Sequence, residues 1–299
     1  MKKQHCGFVS IIGAPNAGKS TLINQLVGSK VSIVSPKVQT TRTRVTGIVI
    51  KGATQVVFID TPGIFAPQRR MEKAMVAAAW QGASDADVII LLVDAARGRA
   101  DAESRAIVDK LVQRGKKAVL VLNKTDLAKK EALLKMAAEL NASGVFTDTY
   151  MISALSGDGT DRLMKDITDK MPEGPWMFPG DQVSDMPMRL LAAEITREKV
   201  FLQLSQELPY AVAVETEKWE EFDNGSARIS QIIYVMRDSQ KSIVLGKGGA
   251  RIKAIGEASR LDLEGILERR VHLSLFVKVR ENWIDDPDRY REWGLDFNA

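Results

Sequence analysis

The sequence predicts an α/β chain of two domains, a larger one built on a mostly parallel sheet and a smaller α+β one behind it. Three observations carry this expectation. Apolar runs, "FVSII", "VVFID", "VIILLVD", "AVLVLNK" and "YMIS", alternate with helix-like segments at Met71 to Ala83, Ala102 to Arg114 and Glu131 to Leu140. Runs that are apolar at every position, rather than at every second one, mark strands covered on both faces, so the connections are crossovers and the sheet is mostly parallel. Polar and glycine-rich stretches stand at the carboxyl ends of these runs, where such sheets collect ligands. Finally, "MPEGPWMFPGD" interrupts the pattern with three prolines and two glycines before a second set of elements begins.

Composition sets the outer limits. With 299 residues and 45% hydrophobic content, the chain can bury one large core or two modest ones. A single cysteine, Cys6, and two histidines, His5 and His272, leave no disulfide framework and no zinc constellation, and fit a reducing compartment. Cys6 and His5 are expected at the edge of the first strand in structural roles, and His272 on a strand surface. The run from Val88 to Val93 is too short to cross a bilayer, and "MKKQHCGFVSII" gives way to a glycine loop before it can serve as a signal peptide. A cytosolic, soluble chain is the expectation.

The first strand ends in "GAPNAGKS", Gly13 to Ser20 with Ala14, Pro15, Asn16 and Ala17 between the glycines. A loop of the form G-x-x-x-x-G-K-[ST] between strand and helix turns successive amides inward, making a nest for phosphate oxygens. Gly13 and Gly18 allow the tight path. Lys19 brings a positive charge for the β- and γ-phosphates, the helix carrying Thr21 adds its amino-terminal dipole, and the Ser20 hydroxyl suits a Mg²⁺ ligand.

The next strand ends in "DTPG", with Asp60 suited to hold Mg²⁺ through water, Thr61 and Pro62 following, and Gly63 able to present its amide to a γ-phosphate. Ile64 stands directly after it. "NKTD" closes another strand: the Asp126 carboxylate can accept two hydrogen bonds from the ring N–H and exocyclic amine of guanine, which adenine does not offer, while Asn123 and Lys124 precede it. Ser153 and Ala154, in "SAL", can support the base. Between the first two motifs lies "VSPKVQTTRTR". One of its threonines, Thr41 with Thr40 as alternate, can complete the metal shell when the γ-phosphate is present.

The domain boundaries follow from composition: residues 1–172, a linker at 173–187 with Trp176 and Phe178 as anchors, and 188–299 including a carboxyl-terminal tail. In the last segment a helix with Leu191, Ile195 and Leu202 on one face precedes two strands, two helices and a final strand. "VHLSLFVKVR" alternates strictly, with Val271, Leu273, Leu275, Val277 and Val279 on one side. Between the two helices, "GKGG" (Gly246, Lys247, Gly248, Gly249) has the G-x-x-G form that admits a nucleic-acid backbone, beside an apolar groove that takes single-stranded bases. Residues 237–280 hold ten Lys and Arg against five Asp and Glu, so Lys241, Lys247, Arg251 and Lys253 can contact phosphates if they share a face. The first 180 residues hold 25 basic against 17 acidic residues, a net +8 that can face RNA or anionic lipid.

"GAPNAGKS", "QTTRT", "DTPG", "NKTD" and "SAL" stand in the order of a translation-factor-type GTPase. Joined to "AAEITREKVF", "ELPYAV", "VLGKGGARIKAIG" and "VHLSLFVKVRENW", they make the chain resemble the Era family of bacterial GTPases over nearly its whole length. The resemblance implies a P-loop GTPase domain, a KH-like (type II) RNA-binding domain, GTP/GDP and Mg²⁺ as ligands, and catalytic roles for Lys19, Thr41, Gly63 and Asn16. It also implies K⁺ beside Asn16, as in related GTPases. Binding of the 3′ end of 16S ribosomal RNA, a role in 30S subunit assembly, a monomeric state and loose association with the inner membrane follow from the same resemblance. Ras-like enzymes use a glutamine after the glycine of DxxG; Ile64 cannot orient water, which implies slow hydrolysis. A nucleotide-stabilised RNA or membrane adaptor with little turnover is the alternative function, and a metabolic P-loop kinase a third.

Overall fold

The computed structural model describes residues 3–35, 45–204, 212–281 and 283–299. They divide into two compact units. Residues 3–32, 45–185 and 291–299 belong to the first, and residues 33–35, 186–281 and 283–290 to the second. The last nine residues, expected with the second domain, thus group with the first, where the Phe297 ring lies 4.5 Å from the Arg70 guanidinium.

The first unit runs β1 (His5–Ile12), α1 (Lys19–Val27), β2 (Val45–Lys51), β3 (Thr54–Asp60), α2 (Arg70–Asp85), β4 (Val88–Asp94), α3 (Ala102–Gln113), β5 (Ala118–Asn123), α4 (Lys130–Asn141), β6 (Phe146–Met151) and α5 (Thr160–Asp169). Its six strands lie in the order β2-β3-β1-β4-β5-β6, all parallel except β2. Only Gly52 and Ala53 separate β2 from β3, and Gly52 has φ 63°, so the chain turns back on itself in a tight hairpin where a crossover would need a dozen residues.

Alternate residues of each central strand feed two cores, which is why the runs are apolar throughout. Val9, Ile11, Phe58, Leu92 and Val121 face α1 and α5 through Leu22, Ile23, Leu163 and Ile167. Ile12, Leu91, Val93, Leu120 and Leu122 face α2, α3 and α4 through Trp80, Ile107, Leu111, Leu133 and Met136. The proline-rich linker is laid along the sheet. Trp176 and Phe178 pack against Cys6, Ile48 and Val57, and the buried Gln55 amide holds the Met177 and Phe178 amides and the Phe178 carbonyl at 2.8–3.1 Å. Leaving those groups buried without partners would cost about 1–3 kcal/mol each.

The second unit runs α6 (Met188–Gln203), β7 (Ala213–Glu221), β8 (Ala227–Val235), α7 (Asp238–Leu245), α8 (Ala250–Leu267), β9 (Val271–Val279) and α9 (Pro287–Glu292). β7 and β8 are antiparallel and β9 is parallel to β8. Ile229, Ile233, Val271 and Val277 turn one sheet face toward α6 and α8, while His272 is exposed. One expectation fails here: Leu202 is 52% exposed, and the buried residues of α6 extend from Leu191 through Glu198 and resume at Val200 and Phe201. Helical spacing of the leucines misled because α6 also buries charge, pairing Arg197 with Glu194, and Lys199 with Glu198 and Asp262. No helix of the described residues is long and apolar enough to cross a membrane.

Candidate functional site

β1 is the strand at which the order of the sheet reverses, with β3 on one side and β4 on the other. Its carboxyl end therefore opens the crevice where doubly wound sheets hold ligands. Glycine is required twice in the loop that follows. A Cβ on Gly13 would stand 2.4 Å from the Leu92 carbonyl oxygen, and one on Gly18, at φ 98°, would stand 2.3 Å from the Asn123 amide nitrogen. Asn16 also takes a left-handed conformation, φ 63°, which asparagine tolerates better than most residues. α1 begins at Lys19, so the amides of its first turn, with that of Thr21, lie at the mouth of the loop.

Lys19 is buried, and its ammonium donates to the Gly13 and Ala14 carbonyls at 3.1 and 3.0 Å. Burial lowers its pKa from 10.5 to about 8, against the opposing pull of the Asp60 carboxylate. Phosphate at this position raises the pKa again, so nucleotide binding above pH 8 takes up a proton. GDP affinity is expected to fall as pH rises above about 8, by up to about tenfold per unit, and titration of a fluorescent GDP between about pH 7.5 and 9.5 measures it. In the nucleotide-free chain the sign is the reverse for stability: the penalty of burying the charged lysine is full below pH 8 and is relieved between 8 and 10.5.

The other strand ends converge on the same loop. Ser20 Oγ donates to Asp60 Oδ2 at 2.8 Å, at the end of β3. Thr61 Oγ1 donates to the Ile11 carbonyl at 2.8 Å, fastening "DTPG" to β1, and the Ile64 amide donates to the Gly13 carbonyl at 3.0 Å. Beyond Pro62, a Cβ on Gly63 would sit 3.1 Å from Pro15. The Ile64 side chain turns into the core with Ala79 and Trp80, so it presents nothing to water at the site. Hydroxyl and carboxylate oxygens such as Ser20 and Asp60 form a hard donor set that suits Mg²⁺, with phosphate and water to complete it. Thr41 and its alternate Thr40 lie outside the described residues.

Asn123, at the end of β5, is 2% exposed and ties three loops. Its Nδ2 donates to the Ala17 carbonyl at 2.8 Å, and its Oδ1 accepts from the Ala154 amide at 2.9 Å. Lys124, at φ 66°, reaches back to the Asn16 carbonyl at 2.9 Å and to Asp94 Oδ2 at 2.6 Å. Asp126 is exposed on the short 3-10 turn that follows, and buried Ser153 holds the Ser156 amide with its hydroxyl. Asp94 escaped the sequence reading, although it closes β4 just as Asp60 closes β3. Ser32 and Asn24 also escaped it: the Ser32 hydroxyl donates to Asp60 Oδ2 at 2.7 Å, and nothing in "VSIV" marks it.

In the second unit, Gly246, Gly248 and Gly249 all have positive φ, at 73°, 59° and 79°. A Cβ on Gly246 would meet Arg251, whereas one on Gly248 or Gly249 would meet nothing within 4 Å. The middle of the loop is thus open to whatever approaches. Lys247 and Lys253 are exposed and Lys241 half-buried. Arg251 is half-buried, and one N–H of its guanidinium donates to the Ile243 carbonyl near the end of α7 and closes the loop.

Two family models match, one described as "50S ribosome-binding GTPase" over residues 8–124 and one as "KH domain" over 207–284. The GTPase Era of Rhizobium meliloti (strain 1021) is 62% identical over 292 residues, covering 97% of this chain and 93% of that protein. The chain belongs to the Era family of GTPases. Era from Mesorhizobium japonicum is 59% identical over 98% of this chain and 94% of its own length. A single-residue variant of Aquifex aeolicus Era, solved with GDP and AlF4⁻, superposes with a TM-score of 0.91 at 39% identity, covering 97% of this chain and 99% of that one. An Era bound to MgGDPNP and nucleotides 1506–1542 of 16S ribosomal RNA gives the same TM-score, identity and coverage. The Era likeness thus spans the nucleotide crevice and the glycine loop alike.

Proposed function

We propose that this chain is a GTP-hydrolysing switch whose KH domain binds 16S ribosomal RNA and which assists 30S subunit assembly. One observation carries the reading: β3, β4 and β5 all meet the loop from Gly13 to Ser20 near their carboxyl ends, each through a hydrogen bond or a contact that only glycine permits, and Asn123 ties the segment after β6 to the same place. The loop amides and Lys19 hold the triphosphate and stabilise charge as the terminal phosphoryl group leaves. Ser20 and Thr41 ligate Mg²⁺, Asp60 supports it through water, and the ion neutralises the phosphate oxygens. Asp126 selects guanine, with Ser153 and Ala154 behind the base. Gly63 presents its amide to the γ-phosphate, and the segment after it is released when that phosphate departs. Among the described residues no side chain serves as general base; Asn16 would hold a K⁺, which would add positive charge beside the phosphates.

Residues 1–172 form the nucleotide domain of this reading, 173–187 the linker, and 188–299 the KH domain and tail. RNA lies against Gly246 to Gly249 with Lys241, Lys247, Arg251 and Lys253 beside it; the open space over Gly248 supports this, and one Arg251 N–H also closes the loop. The work is cytoplasmic, with a peripheral contact to the anionic membrane face that the net +8 of residues 1–180 supports. The test is phosphate release with and without a 16S 3′-end fragment. Gly248→Asp is expected to weaken RNA binding about tenfold or more, by placing a carboxylate against the phosphodiester backbone, and to leave RNA-free hydrolysis unchanged. Hydrolysis equal to that of Lys19→Ala, with or without RNA, would overturn the enzymatic reading.

A further inference from the structure

Residue 32 lies at the start of the threonine-rich segment, and three hydrogen bonds fix it. Asn24 stands one turn after Ser20 on the same face of α1. Its Oδ1 accepts from the Val31 and Ser32 amides, each at 2.9 Å, and its Nδ2 donates to the Ser32 carbonyl at 2.7 Å. With both of its backbone polar groups taken by one side chain, Ser32 has little freedom, and its hydroxyl is aimed at Asp60 Oδ2. Ser32 is 3% exposed and Asp60 fully buried. Asp60 Oδ2 therefore receives two hydroxyls, from Ser20 and from Ser32, at nearly equal distances of 2.8 and 2.7 Å.

We infer that Ser32, locked by Asn24, is a positioning residue for the magnesium site. It fixes the Asp60 carboxylate from outside the phosphate loop, a short way before the segment of the sequence that carries Thr40 and Thr41. A second donor on the same oxygen, itself held immobile, narrows the rotation of a buried carboxylate about its last bond. The two hydroxyls differ in role. Ser20 belongs to the nucleotide loop and exchanges its proton contact for the metal, whereas Ser32 stands outside that loop and keeps the carboxylate in place throughout.

The inference rests on the guanine-nucleotide site argued above, and its test separates the two. A fluorescent GDP analogue is titrated into the full chain in EDTA and again across a Mg²⁺ series, with thermal unfolding as the control for the fold. In Ser32→Ala, affinity in EDTA is expected to stay within about twofold of the parent, while the Mg²⁺ concentration for half-maximal tightening rises about tenfold, the usual effect of losing a group that orients a metal-supporting ligand. Ser32→Thr, which keeps the hydroxyl, restores it. Ser32→Cys fills similar space with a weak donor and gives the same readout should the alanine chain fail to fold. An equal loss in EDTA and in Mg²⁺, or an unchanged Mg²⁺ dependence in both the alanine and cysteine variants, overturns the role. A parent chain that binds no GDP at all overturns the nucleotide site itself.

Discussion

Lys19→Ala is expected to slow GTP hydrolysis by about 10²- to 10³-fold, the range seen when one donor to developing transition-state charge is removed. The effect is large because the ammonium sits in a dry place: it is 7% exposed and rests on two carbonyls of its own loop. Low local dielectric makes its interaction with phosphate far stronger than the same pair in water. The fold should survive. A buried ammonium with a depressed pKa costs the nucleotide-free chain stability, so the variant is expected to unfold at the parent's temperature or above it. Single-turnover phosphate release and a thermal melt check the two halves. A rate loss below about tenfold would mean that the charge on the phosphates is balanced elsewhere.

Asp126→Asn is expected to have the second largest effect, and to show it as a change of preference. Guanine offers two donors side by side, and a carboxylate accepts both. An asparagine accepts one and sets its own amide N–H against the other, so GTP affinity is expected to fall about 10²- to 10³-fold. Xanthine carries a carbonyl where guanine has its amine, and the same amide suits it. Competition between GTP, XTP and ATP for the fluorescent nucleotide measures the outcome: XTP should overtake GTP in the variant. Equal loss for all three would place base recognition on another residue.

Much of the architecture was readable in the chain, for a physical reason. Strands sandwiched between helix layers must be apolar at both faces, and a polar or glycine-rich break directly after such a strand has few roles other than binding. "GAPNAGKS", "DTPG", "NKTD" and "SAL" all met that description, and all four meet at one place. What stayed hidden depends on partners far along the chain. Ser32 is an ordinary residue in "VSIV" until Asp60, 28 positions away, gives its hydroxyl a target. Leu202 has the right spacing for a core helix, yet the charged residues of α6 are buried by pairing with one another and with Asp262 of α8, and no hydropathy pattern encodes that. The loop-closing acceptor of Arg251, the Ile243 carbonyl, is likewise invisible in the sequence, because it is offered by the last turn of α7.

The closeness of Gly18 to the Asn123 amide has a consequence for how the ligand is measured. With room for no more than a hydrogen between them, the loop proposed to grip the triphosphate and the strand end proposed to read the purine share a wall and cannot drift apart. The distance from one end of the nucleotide to the other is therefore gauged by β1 and β5, rigid members of the sheet, before any ligand arrives. A molecule of the wrong span is turned away by the scaffold itself, whatever its chemical groups.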